Sequence, residues 1–169
     1  KLMNPVWHVH NGNIPKENNI MSFSMLLNLV ETSNADSKDL LWKFVKKYKT
    51  NLNEKEFPIF DKLVDYAIKY YKDVISPNKK YKTPNSDEKK VLMSLVKALD
   101  ECNDKMTPED IQTKIFSVGK ENGYKDNLRD WFKLIYEVVF GDENGPRIGF
   151  FISFFGVKET QNLIKEKIM

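Results

Sequence analysis

The sequence predicts an all-α fold, a bundle of seven or eight short helices that follows an extended N-terminal arm. From residue 21 onward, apolar residues recur three and four positions apart, which places them on one face of a helix. No run of alternating apolar and polar residues marks a β-strand. Glycine and proline stand between the apolar segments, where short links would end one helix and precede the next.

The first three predicted helices are identified by their apolar faces. The first covers residues 22–31, with Ser22 as its N-cap. The second carries its apolar residues between positions 40 and 48. The third, residues 57–75, follows the helical spacing most closely, and its pattern places Val74 on the buried face. Together these faces predict a common core that lies on one side of each helix.

Capping signals identify the next two helices. Ser86 is predicted to cap the fourth, because acidic residues follow it in the first turn and face the positive end of the helix dipole. The fifth has Thr107 as its N-cap, proline at the first helical position and Asp110 three residues after the cap. Gly123 is predicted to end this helix, and Phe116 is predicted to face the core.

Glycines mark the boundaries of the last three helices. The sixth covers residues 126–140 and stops at a glycine. Residues 145–149, Gly-Pro-Arg-Ile-Gly, form a turn that leads into an intensely apolar helix. Gly149 is predicted to allow two helices to approach closely, because it has no side chain. Gly156 separates this helix from a last amphipathic one, Val157–Ile168.

Length and composition indicate one globular domain. The chain has 169 residues, of which 41% are hydrophobic and 30% are charged, and its net charge is +3. Residues 1–20, interrupted by prolines, are predicted to be an extended arm or linker, and residues 21–169 the helical domain. No apolar stretch approaches the ~18–20 residues of a membrane span, so we expect no membrane partner. The start at Lys1 suggests a piece of a longer protein.

The residue types that catalysis needs do not form a motif in this sequence. The single Cys102 excludes an internal disulfide framework and a thiolate-rich zinc site. His8 and His10 form an H-x-H pair, but the remaining ligands of a zinc site are missing nearby. No phosphate loop, dinucleotide-binding loop or metalloprotease motif occurs. We therefore expect no catalytic residue, cofactor or metal ion in this chain.

Two segments near the ends of the helical region resemble those of a known enzyme family. Residues 21–29, Met-Ser-Phe-Ser-Met-Leu-Leu-Asn-Leu, look like the segment that opens the C-terminal region of class I lysyl-tRNA synthetases. Residues 9–15 are similar to the family's approach to that segment. Residues 134–141, followed by Gly-Pro-Arg-Ile-Gly and then by Phe155-Gly156, resemble the family's terminal motif. The resemblance extends over nearly the whole chain.

The resemblance implies a fold and a function. In this family the C-terminal region is an all-α anticodon-binding domain, related to that of class I glutamyl-tRNA synthetases. The catalytic domain, which activates lysine with ATP and Mg²⁺, lies upstream in the same chain. The resemblance therefore implies that this chain positions a lysine-accepting tRNA for aminoacylation in the cytoplasm, while the parent enzyme supplies the chemistry.

Basic and aromatic side chains are the expected tRNA contacts. Unpaired anticodon bases stack on aromatic rings or guanidinium planes, and lysines add contacts to phosphates. Two lysine-rich stretches, residues 38–49 and 69–82, also carry aromatic residues. The residues that we expect to contact tRNA are Arg147, Arg129, Trp131, Lys46, Lys47 and Lys80.

Arg147 has two interpretations. Apart from Arg129, the chain uses only lysine for positive charge, and a guanidinium differs from an ammonium in binding phosphates and base edges through two parallel hydrogen bonds. Arg147 also stands at a predicted helix start, where free N–H groups favour an anion. Alternatively, Arg147 pairs with a carboxylate such as Asp142 or Glu143 and fixes the corner between the last helices.

Two other functions stay open at the level of the sequence. One is a helical protein–protein interaction module, which would require a large exposed apolar patch and no basic face. The other is the corresponding domain of a glutamate-specific synthetase, although residues 22–29 favour lysine.

Overall fold

The computed structural model describes most of the predicted helical region. It describes residues 20–33, 35, 37–48, 52, 54–103 and 105–169. The predicted arm, with His8 and His10, lies outside these residues except for its last position. The arm therefore stays a prediction.

Eight α-helices make up the described part of the chain, and no strand occurs in it. They are α1 (Phe23–Ser33), α2 (Lys38–Tyr48), α3 (Pro58–Tyr70), α4 (Ser86–Leu99), α5 (Pro108–Gly119), α6 (Leu128–Val139), α7 (Ile148–Phe155) and α8 (Val157–Ile168). The prediction of an all-α bundle is confirmed. Within the same residues, no helix combines the length and the apolar character needed to cross a membrane.

The two capping predictions have different outcomes. At α5, the Thr107 side chain accepts a hydrogen bond from the Asp110 N–H, and the Asp110 carboxylate accepts one from the Thr107 N–H, as predicted. At α4, the predicted cap Ser86 is wrong, because Ser86 is already the first helical residue. The cap is Asn85, whose Oδ1 accepts hydrogen bonds from the backbone N–H groups of Asp87 and Glu88. The Glu88 carboxylate in turn accepts a hydrogen bond from the Asn85 N–H. An Asn side chain satisfies free helix donors as well as Ser does.

Glycines with positive φ angles end three of the predicted helices. Gly141, with φ of 57°, follows α6 where the predicted sixth helix stops. Gly156, with φ of 114°, separates α7 from α8 at the predicted position. Gly123, with φ of 94°, lies in a π-helical turn, Lys120–Tyr124, that extends α5. A side chain is disfavoured at such angles, so glycine allows the chain to reverse there.

The most apolar helix, α7, lies at the centre of the bundle. It packs against α1, α2, α5 and α8, and its residues Phe151 and Ile152 are fully buried. Six of its eight residues are buried, as expected for a helix that is apolar over most of its surface. The Phe151 ring meets the ring of Phe140 edge to face, with 4.9 Å between centroids. This central position fixes the segment just before α7, which contains Arg147.

Two residues predicted to face the core are substantially exposed. Val74 is 45% exposed because α3 continues into a π-helical turn, Tyr71–Ile75, whose wider winding rotates the apolar face away from the core. Phe116 is 36% exposed and packs edge-on against Phe132, with 4.8 Å between centroids. It lies beside the buried Ile115, at the edge of the apolar face of α5.

Candidate functional site

A groove of about 1060 Å³ lies between the start of α1 and the segment that connects α6 to α7. We call it the Arg147 groove. Residues that line it include Met21, Met25, Asn28, Asn144, Arg147 and Phe150. The two segments that carry the family resemblance, residues 21–29 and 145–149, are far apart in the sequence but contribute to this one groove.

The corner before α7 is held by Tyr136 of α6. The Tyr136 hydroxyl donates a hydrogen bond of 2.9 Å to the carbonyl oxygen of Pro146. A Cβ at Gly145 would lie only 2.4 Å from the Tyr136 ring, so glycine allows the backbone to lie directly on that ring. Burial raises the pKa of the Tyr136 hydroxyl, which keeps it protonated as a donor. Tyr136 therefore holds the corner through two contacts, its hydrogen bond to Pro146 and the packing of its ring against Gly145.

Arg147 is exposed at the rim of the groove. Its side chain is 59% exposed, and its guanidinium lies 3.8 Å from Glu109 and 5.5 Å from the ring centre of Phe150. An ion pair this exposed contributes at most about 1 kcal/mol to stability. The contact with Phe150 is a cation–π contact, which leaves the hydrogen-bond donors of the guanidinium available.

The predicted alternative partners of Arg147 have other contacts. Glu143 lies 2.8 Å from Lys133. The Asp142 side chain accepts a hydrogen bond from the backbone N–H of Asn144. The carboxylate that pairs with Arg147 is therefore Glu109 of α5 and neither of these two. The corner itself is bonded by the Tyr136 hydroxyl.

Arg129 and Lys80 lie beside the same loop, residues 141–147. Arg129 lines a concavity of about 680 Å³ together with Tyr136 and Asn144. Lys80 lines a concavity of about 390 Å³ together with Gly141. Both side chains are exposed, and neither forms an ion pair with the residues described. The structure thus arranges three of the predicted contact residues around one loop.

The predicted contacts in α2 lie elsewhere. The Lys46 ammonium is 2.7 Å from Glu54 and 5.7 Å from the ring centre of Trp42, and Lys46 does not line any of the three concavities. The side chain of Lys47 lies outside the described residues. The structure does not bring Lys46 together with Arg147.

The structure places Trp131, another predicted tRNA contact, in the core and not at a concavity. Trp131 is fully buried, and its indole N–H donates a hydrogen bond of 3.0 Å to the carbonyl oxygen of Ile115. Its ring packs against Tyr124 and closely approaches Gly119. A Trp on the apolar face of an amphipathic helix gains more by burying its large ring than by exposing it.

Sequence reasoning missed a buried polar cluster that borders the groove. Glu31 and Lys79 form an ion pair of 3.0 Å, with side chains that are only 4% and 14% exposed. Tyr81 donates a hydrogen bond of 2.5 Å to the other carboxylate oxygen of Glu31. Burial raises the pKa of Glu31, while the bonds from Tyr81 and Lys79 oppose that rise. The signal in the sequence was a glutamate on the apolar face of the first helix, four residues after Leu27.

The chemistry of the groove suits binding. Met21, Met25 and Phe150 provide apolar surface, Asn28 and Asn144 provide amide groups, and Arg147 provides an exposed planar cation. A planar ligand with a polar edge and a nearby negative charge matches these groups. Among the described residues, no cluster of His, Cys, Asp or Glu side chains could hold a metal ion.

The described residues thus form an all-helical bundle with an exposed arginine beside an apolar and amide-lined groove. The chain is similar over 99% of its length to curated bacterial proteins named lysine–tRNA ligase. Identity is 38% with the protein of Rickettsia felis, 37% with that of Rickettsia bellii (strain OSU 85-389) and 38% with that of Rickettsia peacockii. The chain spans 32% of the length of each of these relatives. The similarity supports a domain of the lysyl-tRNA synthetase kind.

The other two comparisons found no match. No family model matches the sequence, and no solved structure matches it.

Proposed function

We propose that the chain is the tRNA anticodon-binding domain of a class I lysine–tRNA ligase. In this proposal the domain positions a lysine-accepting tRNA, and a catalytic domain elsewhere in a longer protein performs the ATP- and Mg²⁺-dependent aminoacylation. The proposal also places the protein in the cytoplasm, where tRNA is aminoacylated for translation.

The observation that carries the proposal is the composition of the Arg147 groove. Both segments that resemble class I lysyl-tRNA synthetases line it, and the chain is similar to lysine–tRNA ligases along 99% of its length. The exposure of Arg147 also supports RNA binding, because an arginine consumed by an internal ion pair would not be available to a phosphate.

The groups of the groove fit an unstacked nucleotide. Sequence-specific RNA recognition depends on bases that are splayed out, stacked on a flat surface and hydrogen-bonded at their edges. Phe150 and the guanidinium that lies over it offer a flat surface, and Asn28 and Asn144 offer donors and acceptors. Lys80 and Arg129 stand beside the same loop as cations for the adjoining phosphates.

Binding to two transcripts tests the proposal. The purified chain should bind a lysine-tRNA transcript more tightly than a transcript of the same length with changed anticodon bases, and the ratio should persist as salt is raised. Salt weakens phosphate contacts for both transcripts alike, so a persistent ratio reports base recognition. Equal affinity for the two transcripts at every salt concentration would reduce the interaction to general electrostatics and overturn the proposal.

A second candidate, a protein–protein interaction module, is favoured by one observation. Four apolar or aromatic residues on the outer side of α3 and its π-helical turn, Ile59, Tyr66, Tyr70 and Val74, are 45–60% exposed. Such a patch is a typical docking surface. Replacing Tyr66 and Tyr70 by serine separates the candidates, because tRNA discrimination should survive this change if the Arg147 groove binds the anticodon.

The glutamate-specific alternative is less well supported. The relatives compared above are all named lysine–tRNA ligase. A glutamate-accepting transcript added to the binding experiment tests this point directly, and we expect it to bind no better than the altered lysine transcript.

A further inference from the structure

The ion pair between Glu31 and Lys79 is the most deeply buried charged pair among the described residues. Both residues line the Arg147 groove, yet their side chains are almost completely withdrawn from solvent. Neither is therefore a good direct contact for RNA.

The pair joins four parts of the fold. Glu31 belongs to α1, and Lys79 and Tyr81 lie in the segment between α3 and α4. The Lys79 ammonium also donates a hydrogen bond to the carbonyl oxygen of Phe140, which directly follows α6. The ring of Tyr81 is in turn covered by the ammonium of Lys167 from α8, 3.5 Å from the ring centre. Every polar group of the cluster has a partner.

These contacts fix the beginning of the loop that carries Arg147. Phe140, held by Lys79, precedes Gly141, where the loop begins. A Cβ at Gly141 would lie 2.9 Å from the carbonyl oxygen of Lys80, so the two backbone segments are in direct contact. The Lys82 backbone N–H also donates a hydrogen bond of 3.0 Å to the backbone carbonyl oxygen of Glu137 in α6. Glu31 thus anchors residues 79–82, and residues 79–82 anchor the loop.

Stability alone does not account for a buried ion pair. Replacing such a pair by uncharged side chains of similar volume is often neutral for folding, because desolvation offsets the attraction. What the pair does provide is a fixed geometry, since both carboxylate oxygens and the ammonium are directed at specific partners.

We propose that Glu31 and Lys79 are positioning residues, which hold the 141–147 loop so that Arg147 and Asn144 face the nucleotide in the groove. The RNA part of this inference rests on the proposed function. The loop part does not, because the contacts belong to the RNA-free protein.

The test uses the double variant Glu31→Gln/Lys79→Met, which removes both charges and keeps the side-chain volumes. Amide hydrogen exchange of Asp142 and Asn144, two loop residues whose N–H groups donate hydrogen bonds, should become about tenfold faster without RNA, while the melting temperature changes little. Affinity for the lysine-tRNA transcript should fall about tenfold, which corresponds to the loss of roughly one good contact. The single variant Lys79→Arg, which keeps the charge and the donors, should retain slow exchange.

The matched control is Lys38→Met/Asp61→Asn. This pair has the same chemistry, with 2.5 Å between Lys38 and Asp61 and a second donor from Trp42, but it joins α2 to α3 and does not line the groove. Its loss should leave exchange of the 141–147 loop unchanged. If Glu31→Gln/Lys79→Met does not fold, Tyr81→Phe removes only the hydroxyl that bonds Glu31 and serves as the milder variant.

The outcomes separate the two proposals. Unchanged loop exchange in the folded double variant would overturn the positioning role. Faster exchange with unchanged RNA affinity would overturn its link to RNA binding. If the unaltered chain fails to discriminate between transcripts, the proposed function fails while the exchange result still decides whether the pair holds the loop.

Discussion

The backbone N–H of Gly149 donates a hydrogen bond of 2.8 Å to the buried side-chain amide oxygen of Gln112. This contact joins the first turn of α7 to α5. A Cβ at Gly149 would lie 2.2 Å from the Pro108 carbonyl oxygen and 2.8 Å from the backbone nitrogen of Gln112. The predicted close approach of two helices at Gly149 is confirmed. Because the obstructing atoms belong to the backbone, no side-chain rotation can relieve the clash.

We therefore expect Gly149→Ala to lower the free energy of unfolding by about 3 kcal/mol, the upper range for overpacking a well-packed site. Urea unfolding followed by circular dichroism measures this change. Gly123→Ala is the control, because a Cβ there meets no atom within 4 Å and only the positive φ is strained. Gly123→Ala should lower the free energy of unfolding by about 1 kcal/mol. Equal losses for the two variants would contradict the packing explanation.

Arg147→Lys should weaken binding of the lysine-tRNA transcript about tenfold, because an ammonium can neither stack on Phe150 in the same way nor form two parallel hydrogen bonds. The melting temperature should change by less than about 2 °C, since the ion pair with Glu109 is exposed. Fluorescence anisotropy with labelled transcript and a thermal melt measure both quantities. Glu109→Gln is the control and should not weaken binding. A stability loss with normal affinity in the folded protein would contradict the predicted role.

Lys80→Gln and Arg129→Gln should each weaken binding to all transcripts alike. Each should also lower the slope of log affinity against log salt by about 1, as expected when one phosphate contact is lost. Lys46→Gln is the matched control, because Lys46 is paired with Glu54 and lies outside the three concavities. A salt titration of the three variants makes the comparison. An equal loss of slope for Lys46→Gln would place the RNA on another face of the domain.

Trp131→Phe should reduce stability without changing RNA affinity. The substitution removes the hydrogen bond to Ile115 and leaves a cavity in place of part of the indole, at a combined cost of about 2 kcal/mol. Chemical unfolding and transcript binding on the same preparation test this expectation. If instead affinity falls while the free energy of unfolding is unchanged, Trp131 contacts RNA after all and its buried position is not the one that binds.

Thr107→Ala should lower the free energy of unfolding by about 1 kcal/mol at neutral pH, the usual value of an N-cap. The effect should depend on pH. Hydrogen bonds from the Thr107 hydroxyl and N–H hold the pKa of Asp110 below its ordinary value of 3.8. An acid whose pKa is lower in the folded protein stabilises the fold above the unfolded pKa and loses that contribution as the pH falls.

The difference between Thr107→Ala and the unaltered chain should therefore be largest above pH 3.8 and become smaller as the pH falls below it. Thr113→Ala is the control, since Thr113 lies within the same helix and its hydroxyl donates to the Glu109 carbonyl oxygen, away from Asp110. Its effect should be small at every pH. A constant difference for Thr107→Ala down to pH 2 would contradict the coupling with Asp110.

Local signals in the sequence predicted the helices well because their causes are local. The apolar spacing, the box at Thr107 and Asp110 and the stop at Gly156 each act within a few residues, and the structure contains them as predicted. Asn85 was missed as a cap because a neighbouring serine offered the same chemistry. The exposure of Val74 was missed because a π-helical turn shifts the helical period without a recognisable sequence signature.

The sequence by itself determined the all-α class, the approximate helix boundaries and the turn that precedes the most apolar helix. Only the tertiary structure decided which of the aromatic and charged side chains are exposed and which are buried or paired. It buried Trp131, paired Lys46 with Glu54, left Arg147 exposed and placed Glu31 against Lys79. Helix formation depends on neighbours three and four residues away, whereas exposure and pairing depend on contacts between residues tens of positions apart, and periodicity carries no information about those contacts.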